Sequence, residues 1–295
     1  MNKGWAYYAG KLSSKLLCLL PYSVLLWLGK VCGTIYYRLA INLRERAKQQ
    51  MMRGLAISEE ETEPILKRMF YNLALIGLEF FYLPKLTKEN IAAYVELEGL
   101  YFLDQALKEG HGVVLVTAHI GNWELFGITL AMLGYPVVGI GKQQPQAGLT
   151  ALLTEYRTRF GGEVYYKGMA IRHVMRALRD NKIIYIVSDQ DGGKEGVFIN
   201  FLNKPASTPP GAAVFARRCG APVIPAFIHR SGNKHIITID APLALQETDD
   251  AEADIRTNLL TITKRVEDQI KKYPSEWLWF QKRWNTPMEV VTNNE

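Results

Sequence analysis

A short β-branched run, Val113-Val114-Leu115-Val116-Thr117-Ala118, ends on His119 and passes through Gly121-Asn122 into an apolar stretch from Trp123 to Leu133. Strand-forming residues closed by a Gly-Asn step predict a buried strand, and an apolar segment of helical length follows it without a linker. A strand that turns so abruptly into a helix opens a strand–helix–strand unit. In such α/β proteins, ligands sit at the edge of the sheet where the strands end. His119 is therefore predicted at that edge, with Glu124 in the first turn of the following helix. The His-x4-Glu spacing suits a general base with an orienting acid, which together can take the proton from a hydroxyl nucleophile. Two plainer explanations fit the same residues: a histidine hydrogen-bonded for structure, and a glutamate favoured by the helix dipole.

The rest of the chain supports an α/β class. Further strands are predicted at Val137–Gly139, Val164–Tyr166, Ile183–Ser188, Val197–Phe201, Val223–Ile228 and Ile236–Ile239. Helices are predicted at Leu149–Phe160, Ala170–Asn181, Gly211–Arg218 and Asp254–Lys272. Strands alternating with helices argue for a parallel or mixed central sheet flanked by helices. At 295 residues and 48% hydrophobic content, the chain can build one sizeable core.

The N-terminal part, residues 1–54, reads differently from residues 55–295, which are taken as the catalytic domain. Leu16 to Leu28 is apolar, but Pro21 interrupts it and it falls short of the roughly 20 residues that span a bilayer. Trp5, Tyr7, Tyr8, Trp27, Tyr36 and Tyr37 suit the headgroup level of a membrane, and Arg44, Arg46, Lys48 and Arg53 suit an anionic leaflet. This region is read as a membrane-associated helical extension; the alternative is a helical hairpin packed on the main domain. Ser58 to Glu61 forms a capping-box signature opening a helix that runs to Tyr82 and stops at Pro84.

Other constellations divide between ligand binding and local structure. Asp189 and Gln190, at the end of a strand, are candidate substrate-binding residues, whereas Asp191 before Gly192-Gly193 suits a turn. Arg157 and Arg159 either complement a helix C-terminus or meet an anionic substrate. Asn122 joins the candidate substrate-binding set. The segment Asn203 to Gly211 reads as a capped entrance to a helix. In Trp277 to Trp284, aromatics mix with bases, which suits core packing with a basic rim.

The chain contains no GxSxG, Walker A, complete GxGxxG or HExxH motif, so a serine nucleophile, nucleotide chemistry and hydrolytic zinc chemistry lose support. Cys18, Cys32 and Cys219 lack metal or disulfide spacing and read as reduced, mostly buried thiols. A net charge of +6 favours an anionic partner, and with no recognisable nucleic-acid module that partner is not expected to be nucleic acid.

Taken together, these blocks resemble the bacterial lipid A biosynthesis late-step acyltransferases, of lauroyl- or myristoyl-transferring type, within the lysophospholipid acyltransferase superfamily. The resemblance runs from Leu20-Pro21 to Leu28-Gly29, through His119-x4-Glu124, Arg159-Phe160-Gly161-Gly162, Asp189-Gln190-Asp191, Phe201 to Pro210 and Gly220 to Pro225. It closes at Pro274-x-x-Trp277-x-Trp279-x-x-x-Arg283-Trp284. It implies a glycerolipid acyltransferase-like fold and transfer of a fatty acyl chain from acyl carrier protein to a lipid A precursor hydroxyl, at the cytoplasmic face of the inner membrane. His119 would be the base, with Glu124 orienting it, no acyl-enzyme formed and no metal or dissociable cofactor needed. Arg159, and less directly Arg157, would contact substrate or oxyanion. Two departures from the family pattern are Leu202-Asn203, in place of a second aromatic and a glycine, and Gln281-Lys282 in place of His-Arg. The same chemistry on a lysophospholipid or a phosphatidylinositol mannoside, and a non-catalytic membrane-binding role, are the alternative readings.

Overall fold

Among the described residues, four α-helices precede the first strand: α1 (Gly4–Leu17), α2 (Tyr22–Leu39), α3 (Ile41–Leu55) and α4 (Glu59–Tyr82). The computed structural model describes residues 3–166 and 171–288. Pro21 stands at the N-cap of α2 with extended backbone and separates α1 from α2. The capping box that opens α4 is formed, Ser58 and Glu61 each satisfying the other's backbone N–H.

The first three helices pack on the body of the protein and share its core. Tyr7 and Leu25 belong to one buried cluster, Ala47 and Met51 to the other. Gly33 lets α2 lie against the backbone of α4, since a Cβ there would come within 2.6 Å of Tyr71 Cα. The opposite faces of α1 and α2 are bare. Trp5, Tyr8, Leu12 and Leu16 form one exposed stripe; Trp27, Val31, Ile35 and Leu39 form a second. Among the described residues no single helix is long and apolar enough to cross a membrane; α2 and α3 reach that length together but meet at 91°.

From Val95 onward, strands and helices alternate as β1 (Val95–Glu98), α5 (Leu100–Lys108), β2 (Val113–Thr117), α6 (Trp123–Met132), β3 (Val137–Gly141), α7 (Ala147–Thr158), β4 (Glu163–Tyr166), α8 (Ile171–Arg179) and β5 (Ile183–Val187). Then come β6 (Val197–Phe201), β7 (Lys204–Thr208), α9 (Gly211–Cys219), β8 (Val223–Ser231), β9 (Lys234–Ile239) and α10 (Ala251–Lys272). The seven-stranded sheet runs β1-β9-β8-β2-β5-β3-β4, parallel except between β8 and β9. The mixed sheet flanked by helices is as the sequence pattern predicts.

All five residues of β2 are buried because both faces of the sheet are covered. Val113 and Leu115 face the cluster built with α5 and α6, while Val114 and Val116 face the one built with α8, α9 and α10.

Several predictions from sequence are corrected. The segment from Lys204 to Thr208 is a strand of the β6–β7 hairpin, not a loop entering a helix. Val95–Glu98 is an edge strand that the pattern hides, and Cys32 is exposed. Ala170, the expected start of α8, lies outside the described residues.

Candidate active site

The turn after β2 is fixed at each of its residues. Ile120 makes an antiparallel bridge with Trp277, and Gly121 N donates to Glu276 O at 3.1 Å. Gly121 has φ +56°, and a Cβ there would lie 2.3 Å from Ile228 O, so only glycine fits. Asn122 is the fully buried N-cap of α6: its Oδ1 accepts from Leu125 N (3.0 Å), and its Nδ2 donates to Glu79 Oε2 (2.9 Å). Its amide is spent on structure, so Asn122 is a positioning residue and not the substrate contact expected from sequence.

β2 and β5 are parallel neighbours, in register at Thr117 and Val187. Two residues beyond, His119 and Asp189 stand side by side, with His119 Nδ1 2.7 Å from Asp189 Oδ1. The other oxygen of Asp189 accepts from His119 N (3.1 Å), Trp277 Nε1 (2.6 Å) and Gln281 Nε2 (3.2 Å). Burial alone would push this carboxyl up, but the imidazole and these donors hold it at about 2. An ionised carboxylate only accepts, so Nδ1 carries the proton and the Nε2 lone pair is left as an acceptor. For His119 itself, burial favours the neutral ring. The Asp189 charge and hydrogen bond outweigh it, with Glu124 adding, and the pKa is raised above the ordinary histidine value.

Glu124 is not hydrogen-bonded to His119. Its two oxygens accept from Arg157, Oε2 from Nε (2.8 Å) and Oε1 from Nη2 (2.5 Å), in a bidentate pair. Burial opposes ionisation of Glu124, yet the Arg157 charge holds its pKa below the usual range. The expected orienting role is thus corrected: Asp189 holds the ring, and Glu124 acts on it through its charge.

Arg157 and Arg159 also separate. Arg157 lines the site, whereas Arg159 faces out, donating to Pro84 O (2.9 Å) with its guanidinium 5.3 Å from the Phe160 ring centre. Gln190 stays at the site, its Nε2 3.5 Å from His119 Nε2, and Trp123 lies edge-on to the imidazole at 4.8 Å. Asp191 is a turn residue, accepting from Gly193 N and Thr286 Oγ1.

His119, Glu124, Arg157 and Gln190 open onto a cavity of about 450 Å³. Beyond these groups its wall is mostly apolar, with Phe80, Ile128, Ala131, Val137, Leu149 and Leu153, and Lys142, Gln144, Glu163 and Tyr185 also line it. From Glu124 to Ala131 it follows α6 for about 10 Å. A base bordering a mostly apolar cavity can activate a hydroxyl against a carbonyl carried by a hydrocarbon chain. Among the described residues, no three His, Cys, Asp or Glu side chains are grouped to hold a metal ion.

Sequence reasoning passed over two residues that build this site. Trp277 and Gln281 both donate to Asp189 from the C-terminal aromatic-basic block. The polar Gln281 among the aromatics there was the available signal.

Comparison with known proteins finds acyltransferases. The family model described as bacterial lipid A biosynthesis acyltransferase matches residues 1–286. A lipid A biosynthesis acyltransferase of Haemophilus influenzae is 23% identical over 284 residues, covering 93% of this chain and 86% of the relative. The lipid A biosynthesis lauroyltransferase of Escherichia coli is 25% identical over 286 residues, 92% of this chain and 89% of the relative. A phosphatidylinositol mannoside acyltransferase of Mycobacterium tuberculosis is 23% identical over 247 residues, 81% of this chain and 77% of the relative.

Proposed function

The chain belongs to the bacterial lipid A biosynthesis acyltransferase family and is an acyltransferase, and we propose that it moves a fatty acyl chain from acyl carrier protein to a hydroxyl of a lipid A precursor. The observation that carries this reading is the His119 ring, fixed through Nδ1 by Asp189 and bordering a mostly apolar cavity.

In this mechanism the acyl chain lies in the cavity, and its thioester carbonyl stands beside Nε2. His119 Nε2 takes the hydroxyl proton as the acceptor oxygen bonds to the carbonyl carbon. Negative charge then gathers on the carbonyl oxygen, and the Gln190 amide, 3.5 Å from His119 Nε2, is a side-chain donor placed to meet it. Collapse of this intermediate breaks the carbon–sulfur bond, and the leaving thiolate takes the proton back from the imidazolium. The Asp189 carboxylate stabilises that imidazolium throughout. The Glu124–Arg157 pair forms part of the cavity wall, and the Glu124 charge adds to the same effect.

The exposed stripes on α1 and α2 suit a lipid interface, with aromatic rings at headgroup depth. The chain then lies at the cytoplasmic face of the inner membrane, where its positive charge meets an anionic leaflet and an acidic carrier protein. The mycobacterial relative favours a second reading, the same transfer to a phosphatidylinositol mannoside.

Mass spectrometry decides between acceptors. Purified protein is given defined acyl carrier proteins with a tetraacylated lipid A precursor, a phosphatidylinositol mannoside or a lysophospholipid. A gain of one acyl group on the lipid A precursor is expected; acylation confined to another acceptor overturns the first reading.

A further inference from the structure

A second cleft, about 500 Å³, lies between α3, the β6–β7 turn and the C-terminal segment. Arg46, Gln50 and Arg53 enter it from one stripe of α3, spaced i, i+4, i+7. Lys204 follows the turn, its ammonium 5.9 Å from the Trp284 ring centre, and Lys282 closes the other side. Among the described residues no acidic residue lines the cleft, and none of these four cations is in an ion pair. Neighbouring cations are committed elsewhere: Arg44 donates to Tyr37 O and Lys48 pairs with Glu59. The Glu267 carboxylate is taken up by Leu202 N and Lys271. Four like charges gathered around a cavity without a counter-charge repel one another, and a multivalent anion offsets that repulsion. Arginine forks match phosphate oxygens in particular.

We propose that this cleft binds the phosphate of an anionic lipid headgroup while the same lipid presents its hydroxyl to His119. The proposal deepens the acyl-transfer reading and rests on it for the hydroxyl half. Continuity with the apolar corner of the molecule argues for a lipid. Leu39 and Ile41 are exposed where α2 meets α3. From Ile41, Arg46 stands about 8 Å and Arg53 about 18 Å along the helix axis. Acyl tails meeting that corner bring a headgroup phosphate to the cleft.

On its other side the cleft adjoins the segment whose Gln281 touches the reacting groups. Gln50 Nε2 donates to Trp279 O (2.6 Å) and Gln281 O (2.9 Å), tying α3 to the C-terminal segment. The Gln281 side chain, next to Lys282, touches both Asp189 (3.2 Å) and Gln190 (3.5 Å).

Vesicle sedimentation tests the cleft without turnover. The full chain is mixed with phosphatidylcholine vesicles carrying either phosphatidic acid, which has a phosphate monoester, or phosphatidylserine at matched charge. Wild type is expected to prefer phosphatidic acid. Arg53→Ala with Lys282→Ala is expected to lose that preference and about tenfold in affinity. Arg172→Ala with Arg176→Ala, removing the same charge from the exposed face of α8, is expected to change little, and all three proteins should share one unfolding midpoint. Equal binding to both vesicle types, or equal losses in the two double variants, overturns the proposal. If the chain acylates its acceptor and the cleft variant keeps wild-type KM and vesicle affinity, the cleft is wrong and the acyltransferase reading survives. If no lipid is acylated but the vesicle preference depends on the cleft, the phosphate site stands and the acceptor assignment fails.

Discussion

Two histidine–carboxylate clusters stand on either side of the turn that begins α6. In one, His119 meets Asp189, and Glu124 meets Arg157. In the other, Glu79 accepts from Tyr22 and Arg230, lies 3.1 Å from His235 Nε2 and accepts from Asn122. Residue types and spacings are nearly the same, but access differs. The His119 side chain is 16% exposed and borders the large cavity, whereas Glu79, Arg230 and His235 are each 5% exposed or less. Every Glu79 oxygen is occupied, and the result is mechanical. It fastens α2, β8, β9 and the N-cap of α6 to one point. Chemistry requires a basic atom that faces space, as His119 Nε2 does; in the sealed cluster even the unpartnered His235 Nδ1 is buried, and the cluster holds structure.

The largest predicted separation comes from His119→Ala, which lowers the transfer rate by about 10²–10⁴-fold and leaves the unfolding midpoint close to wild type. Kinetics and thermal melts on the same sample check both halves.

Glu79→Ala acts in the opposite sense. It leaves Arg230 buried without its counter-charge and costs about 3–5 kcal/mol of stability, read by denaturant unfolding. The folded fraction keeps a measurable transfer rate, because no Glu79 atom reaches the cavity.

Asp189→Asn sharpens the description of the open cluster. His119 must be neutral to accept a proton, so the rate rises with pH through its pKa, which lies above the ordinary histidine value in the wild type. Without the Asp189 charge, burial lowers that pKa. The acid limb of the pH–rate profile therefore moves to lower pH while the plateau falls about 100-fold. An unmoved acid limb would detach Asp189 from His119.

The smallest effect is expected beside the sealed cluster. Glu276, whose backbone carbonyl accepts from Gly121 N, carries a carboxyl pushed up to about 7 by burial. The folded state binds this proton more tightly than the unfolded chain. The stabilisation is therefore full below the ordinary carboxyl value and is lost as pH rises through about 7. Glu276→Gln stays neutral throughout, so it should match wild type near pH 4 and exceed it by about 3 kcal/mol near pH 8 in unfolding experiments.

The strand–turn–helix carrying His119 was legible because a run of buried β-branched residues and a Gly-Asn step are local signals. The partner of His119 was not, since Asp189 lies 70 positions away and only the β2–β5 pairing brings it near. Arg157 and Arg159 illustrate another limit. Two residues apart on one helix, they point about 200° apart, and sequence alone does not say which faces the cavity. β7 was hidden by Pro205 and by a turn through Leu202 and Asn203, both at positive φ (46° and 64°), a conformation leucine rarely adopts. Both departures from the family pattern, Leu202-Asn203 and Gln281-Lys282, contribute to the wall of the basic cleft, apart from Gln281, which turns to Asp189.

The most direct test sets the two histidines against each other. Acyl transfer by mass spectrometry and the unfolding midpoint are measured on wild type, His119→Ala and His235→Ala in parallel. The predicted result is a crossed pattern: His119→Ala folds normally and transfers almost nothing, while His235→Ala unfolds more easily but transfers acyl groups when folded. Wild-type rates from well-folded His119→Ala would contradict the assignment of His119 as the base.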